Sequence, residues 1–99
     1  MAQVPTLEEI DAVFGALSHE ARRHIVLLLG HLGGELPSGY LAAHFRHSWP
    51  TTTRHLNVLR DAKLISVVKR GRERVYALER ERLHGVVGEW LSWFSAEKG

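Results

Sequence analysis

The chain has no cysteine. That absence excludes disulfides, zinc fingers, iron–sulfur clusters, thiolate metal sensors and a cysteine nucleophile in one step, and leaves the redox compartment open. Long apolar runs are missing too: Ile25–Leu29 is five residues long, far short of the ~20 that span a bilayer. The opening MAQVPTLEE has no basic stretch and turns acidic at once, unlike a signal peptide. There is no internal repeat, low-complexity tract or linker. There is also no Gly-rich phosphate loop and no clustered carboxylate pair. Ser18-His19-Glu20 is a local run, not a triad, because adjacent helical residues do not face one another. The expectation is a cytoplasmic, membrane-free protein that is not an enzyme.

What is present is a separation of charge. The 99 residues, read as one domain over 1–99, carry a formal net charge of +2. Residues 46–78 hold eight Lys/Arg against two Asp/Glu, and the remaining 66 hold five against nine. A segment this basic inside an otherwise acidic chain points to a polyanionic partner, a nucleic acid.

The elements follow from spacing. Thr6 and Glu9 have capping-box spacing, which starts a helix at Leu7, and Leu7, Ile10, Val13, Phe14 and Leu17 form its apolar stripe. Ser18 is placed to cap a second helix from His19 to about Leu29 or Leu32, ended by Gly30, Gly33 and Gly34. Pro37 and Ser38 open a short third helix containing Leu41, Ala42 and Phe45. After the turn Arg46-His47-Ser48, a fourth helix starts, with Ser48 as cap and Pro50 in its first turn. From Leu64 to Leu78 the pattern changes to alternation, with Ile65, Val67, Val75 and Ala77 around the hairpin turn Arg70-Gly71-Arg72. A last helix from Glu79 carries Leu83, Val86, Val87, Trp90, Leu91 and Phe94. The order ααααββα, mostly α with a β-hairpin wing, is a winged helix-turn-helix.

On the fourth helix Thr52, His55/Leu56 and Leu59 share one face, which should pack inward. Thr51, Thr53, Arg54 and Asn57 lie on the other. Arg suits the O6 and N7 of guanine, Asn the N6 and N7 of adenine, and Thr a thymine methyl or a phosphate. Taken alone these residues read as an ordinary solvated face; between the preceding turn and the following wing they read as DNA contacts. His55 has two readings of equal weight, a phosphate contact or a half-buried residue completing the helix packing. Lys69, Arg70, Arg72 and Arg74 surround the hairpin tip. They suit a narrow minor groove, the bland alternative being a charged edge strand that resists aggregation.

Leu7, Ile10 and Phe14 at one end, with Trp90, Leu91, Trp93 and Phe94 at the other, are more apolar surface than a small domain covers alone. The terminal helices should pack on each other and also form a homodimer interface.

Three motifs in order carry a resemblance. Phe14 to Leu29 (FGALSHEARRHIVLLL) looks like the opening helix pair of the ArsR-type bacterial repressors. Ser48 to Ile65 (SWPTTTRHLNVLRDAKLI) looks like their recognition helix, and Lys69 to Leu78 (KRGRERVYAL) like their wing. The resemblance spans Ile10 to Phe94 and is nearest the autorepressor subgroup without a metal site. It implies a homodimer that occupies an imperfect palindrome in a promoter and blocks transcription. The family commonly has glycine where this chain has Lys63, so either Lys63 takes a left-handed φ or the helix ends on a different cap. Metal-sensing relatives carry ligands on the last helix, in a register that here holds Arg82, His84, Ser95 and Lys98; His84 alone matches. His44 and His47, three apart, make two ligands, whereas zinc takes three or four. No metal and no cofactor are therefore expected. The competing readings are a metal- or ligand-responsive repressor of the same family, and a winged-helix protein–protein adaptor, which would not need a basic wing.

Overall fold

The computed structural model describes residues 4–45 and 48–95; Arg46, His47 and Lys98 lie outside them. Helix α1 (Leu7–Ala16) starts on the expected capping box. The Glu9 amide donates to the Thr6 hydroxyl at 3.1 Å, and the Thr6 amide donates to the Glu9 carboxylate at 2.8 Å. Helix α2 (Glu20–His31) is capped by His19 rather than Ser18: the His19 Nδ1 accepts from the Ala21 amide, while the Ser18 hydroxyl turns back to the Gly15 carbonyl. Gly30 lies inside α2, and Gly33 and Gly34, both at positive φ, end it.

A short strand β1 (Glu35–Pro37), absent from the pattern-based reading, precedes α3 (Ser38–His44) and α4 (Trp49–Asp61). Ser48 caps α4 by accepting from the Thr51 amide at 3.3 Å, with Pro50 in the first turn. Strands β2 (Ile65–Arg70) and β3 (Glu73–Leu78) form the hairpin, and β1 adds to the far edge of β3, all antiparallel. Gly71 carries the positive φ at the turn. The register places Ile65 opposite Leu78 and Val67 opposite Tyr76, so these four, with Leu36 of β1, share the core face. Val75 and Ala77 belong to the opposite face, because residues paired across an antiparallel ladder point the same way. The last helical segment runs as α5 (Arg80–Leu83), a π-helical turn (His84–Gly88) and α6 (Glu89–Ser92). Two glycines, Gly85 and Gly88, sit in the π turn, where helical preference is weakest.

One core joins all of this. Val13, Ile25, Leu29, Leu41, Leu56, Leu59, Leu64 and Ile65 are buried together with Tyr76 and Val86. Polar ties fix the helix ends. Arg22 Nε donates to the Ala16 carbonyl at 2.7 Å and Arg23 to the Leu17 carbonyl at 2.9 Å, so α2 supplies the cations that the C-terminus of α1 lacks. Arg82 donates to the Ala62 carbonyl at the end of α4 and to Glu9 at 2.8 Å, linking α1, α4 and α5. Hydrogen bonding from the Thr6 amide, then from Arg82, holds the Glu9 carboxyl below the usual carboxylate range.

Helix α4 ends in a Schellman turn: the Leu64 amide donates to the Leu59 carbonyl and the Lys63 amide to the Arg60 carbonyl. Lys63 is the residue driven to positive φ, at 65°, so the strained alternative is the one adopted. Lys63→Gly should therefore raise stability by about 1 kcal/mol, read as a higher urea midpoint; a lower midpoint would mean that the lysine is held by compensating contacts. The depressed Glu9 carboxyl contributes stability above the ordinary carboxylate range, and that share is lost as pH falls through its folded value. Glu9→Gln should accordingly show a shallower fall in urea midpoint between about pH 6 and pH 3 than the unaltered chain.

Candidate nucleic-acid interface

Helix α4 is held by its inner face. Leu56 and Leu59 are fully buried, Thr52 is 1% exposed and His55 9% exposed. His55 therefore stands with the inward residues, as the packing alternative of its two readings has it. Its Nδ1 lies 3.1 Å from the Arg22 guanidinium and its ring 4.5 Å from that of His19. The outer face presents Arg54 and Asn57, both exposed, with Asp61 one turn on from Asn57. Thr51 and Thr53 occupy the flanks and are half-buried. The Thr51 hydroxyl accepts from Ser48 within the cap, at 3.0 Å. The Thr53 hydroxyl oxygen is buried with no hydrogen-bond partner among the described residues, so it faces the helix surroundings rather than open solvent, contrary to the expectation from spacing alone. Trp49, at the start of α4, is exposed; its position beside the cap was not among the sequence-derived candidates, since a single aromatic in a first turn carries no periodic signal.

The wing is solvated from Lys69 to Arg74. Lys69 and Arg74 face each other directly across the ladder, and Arg72 sits in the turn. Arg70 is paired differently from expectation: its guanidinium meets Glu35 at 2.8 Å, with both side chains well exposed. Such an exposed pair is worth at most about 1 kcal/mol and leaves Arg70 at the rim. Lys69, Arg72 and Arg74 have no ion pair among the described residues.

The terminal helices do pack on each other: Phe14 meets Trp90 edge-on at 4.9 Å between ring centroids, and Trp90 meets Phe94 at 4.9 Å. Ile10 packs on the core. Leu7 remains 79%, Leu91 56%, Trp93 72% and Phe94 66% exposed.

His44 stacks on Tyr40 and meets His24 edge-on at 5.3 Å. Among the described residues no group of three His, Asp or Glu side chains is placed to hold a metal ion. No helix among them is long and apolar enough to cross a membrane.

Comparison with known proteins decides the family. The transcriptional repressor SdpR of Bacillus subtilis (strain 168) is 35% identical over 86 residues, covering 87% of this chain and 93% of that protein. The arsenical resistance operon repressor of Staphylococcus xylosus is 34% identical over 76 residues, covering 77% and 71%. The chain belongs to the ArsR family of transcriptional repressors. A solved ArsR family transcriptional regulator, RHA00566, superposes with a TM-score of 0.75 at 28% identity, over 99% of this chain and all of that one. HlyU from Vibrio cholerae N16961, at 23% identity and a TM-score of 0.68 over 85% of this chain and 91% of that one, shares the fold. No family model matches the sequence. The relatives are transcriptional regulators, not enzymes, and the family binds DNA.

Thr52 also has a buried hydroxyl with no hydrogen-bond partner among the described residues. A buried polar atom without a partner is costly, and an apolar isostere removes the cost. Thr52→Val should leave the urea midpoint unchanged or raise stability by about 1 kcal/mol; a clear loss would reveal a partner for that hydroxyl.

Proposed function

We propose that this repressor acts as a homodimer on an inverted-repeat operator, reading bases with α4 and clamping the flanking backbone with the wing, without a metal effector. The wing tip carries the reading. Lys69 and Arg74 are like charges directly opposite each other, an arrangement that destabilises a sheet on its own. Arg72 adds a third cation with no ion pair among the described residues. A polyanion threaded past the tip turns this repulsion into attraction; an adaptor surface gains nothing from it. Arg54 and Asn57 on α4 have the right chemistry for guanine and adenine edges, and Thr51, Lys69, Arg70, Arg72 and Arg74 suit phosphates and the minor groove. The protein works where the chromosome is, in the cytoplasm.

Homodimerisation is supported by the outer faces of α1 and α6. Leu7, Leu91, Trp93 and Phe94 each keep more than half of their surface exposed, apolar surface that a second copy would cover, and aromatic enrichment is typical of interface cores. Absence of a metal effector is supported by Arg82. It occupies the first ligand position of the metal-sensing register and is bound instead to Glu9 and the Ala62 carbonyl.

Arg54→Ala should weaken binding to a selected operator by about 1–3 kcal/mol while changing affinity for random duplex little. Arg72→Ala with Arg74→Ala should weaken both and flatten the slope of log K against log salt by about 0.9 per lost phosphate contact. Salt-titrated retardation assays decide it; Arg54→Ala leaving specificity intact would invert the two roles. In sedimentation at micromolar concentration the unaltered chain should be a dimer, and Trp93→Ala with Phe94→Ala should shift it toward monomer. Zinc, nickel or cobalt should leave operator affinity unchanged; tight stoichiometric binding that releases DNA would overturn the metal-free reading.

A further inference from the structure

Helix α4, the base of the wing and α5 meet at a cleft of about 560 Å³, within the roughly 300–1,000 Å³ of small-molecule pockets. Arg60 and Lys63 come to it from the end of α4, Ile65 and Ser66 from the start of β2, and Glu79 and Arg82 from the start of α5. Ile65 is buried and closes the bottom. The methylene stems of the three cations supply apolar walls.

Charge in the cleft is unbalanced. Arg82 is answered by Glu9 at 2.8 Å, and Glu79 accepts a hydrogen bond from the Ser66 hydroxyl at 2.7 Å. Arg60 and Lys63 have no side-chain hydrogen bond or ion pair among the described residues. Lys63 also stands at positive φ, where glycine would relieve the backbone and remove the cation together. Backbone strain of this kind clusters at ligand clamps and switch regions.

We propose that the cleft binds a small carboxylate with a planar apolar body, the carboxylate meeting Lys63 and Arg60 and the body lying over Ile65. A flat guanidinium pairs with a carboxylate and also stacks on an aromatic face, so arginine favours an aromatic acid over an inorganic anion. The bound acid adds a negative charge to each chain beside α4 and β2, and charge of that sign opposes a polyanion. Occupancy therefore lowers operator affinity, and by linkage a bound duplex lowers affinity for the acid by the same factor. This second step rests on the operator-binding reading above; uptake of the acid does not.

Naphthoate is the probe, with naphthamide as its uncharged counterpart, in calorimetry on the full chain. The acid should bind once per chain and about tenfold or more tighter than the amide, the difference between charged and neutral hydrogen bonding. Lys63→Gly should weaken naphthoate by about tenfold while raising the urea midpoint, opposite effects that a damaged fold does not produce. Arg60→Gln keeps most of the stem and removes the charge from an exposed helical position. It should weaken naphthoate as well and leave the urea midpoint in place, so it decides the matter should Lys63→Gly fail to fold. Saturating naphthoate should lower affinity for a selected duplex by about fivefold or more in the unaltered chain, and much less in either variant. Equal uptake of acid and amide, or naphthoate affinity that survives both substitutions, overturns the proposal. So does loss of random-duplex affinity in both variants with naphthoate uptake unchanged, since the two cations would then serve the DNA backbone. A chain that retards no duplex at all would defeat the operator reading, with calorimetry still judging the cleft.

Discussion

Everything functional here depends on how one face of α4 is seated. Leu56 and Leu59 are fully buried against the cluster built by Val13, Ile25, Leu29, Leu41 and Leu64. Burying two leucines stabilises by about 1.5–3 kcal/mol each, enough to fix the rotation of the helix about its axis. Once that rotation is set, Arg54 and Asn57 have to point outward. The Ser48 cap sets where the helix begins and the Schellman turn at Lys63 sets where it ends, so the outward residues are fixed along the axis as well. Ile65 then enters the sheet directly, which places the wing relative to the helix.

Around this seat the chain uses arginines as fasteners. Arg22 and Arg23 close the end of α1, and Arg82 ties Glu9 and the end of α4 to α5. Through Arg82, α1 and α5 are both tied to the end of α4. The π turn at His84–Gly88 lies between the Arg82 fastener and the aromatic end.

Much of this was legible before any coordinates. The Thr6–Glu9 box, the Ser48 cap, the hairpin around Gly71 and the buried stripe Thr52–Leu59 each follow from local rules that tertiary structure did not override. The strained Lys63 was visible as a side chain standing where glycine is favoured. What escaped has physical reasons. Strand β1 is three residues long and exists only because β3 offers an edge, so no local periodicity announces it. His19 replaced Ser18 as a cap, because an imidazole nitrogen can accept an amide proton as well as a hydroxyl can. His55 sits at the margin of the inner face, where spacing permits either side, and it meets Arg22 and His19, both far away in sequence. The Arg70–Glu35 pair spans β1 and β2 and could not be read without knowing that β1 exists. The outward aromatic surface at the C-terminal end was expected from composition, but its division into Trp90, which packs on Phe14, and Trp93 with Phe94, which follow α6 and stay exposed, needed the geometry.

The central claim is that two copies present paired α4 helices and wings to one face of a duplex. Hydroxyl-radical footprinting on a duplex selected from a random pool tests it most directly. The account predicts two symmetry-related zones of protection with centres about 10 base pairs apart, or a small multiple, and two chains bound per duplex. A single asymmetric zone filled by one chain would contradict it.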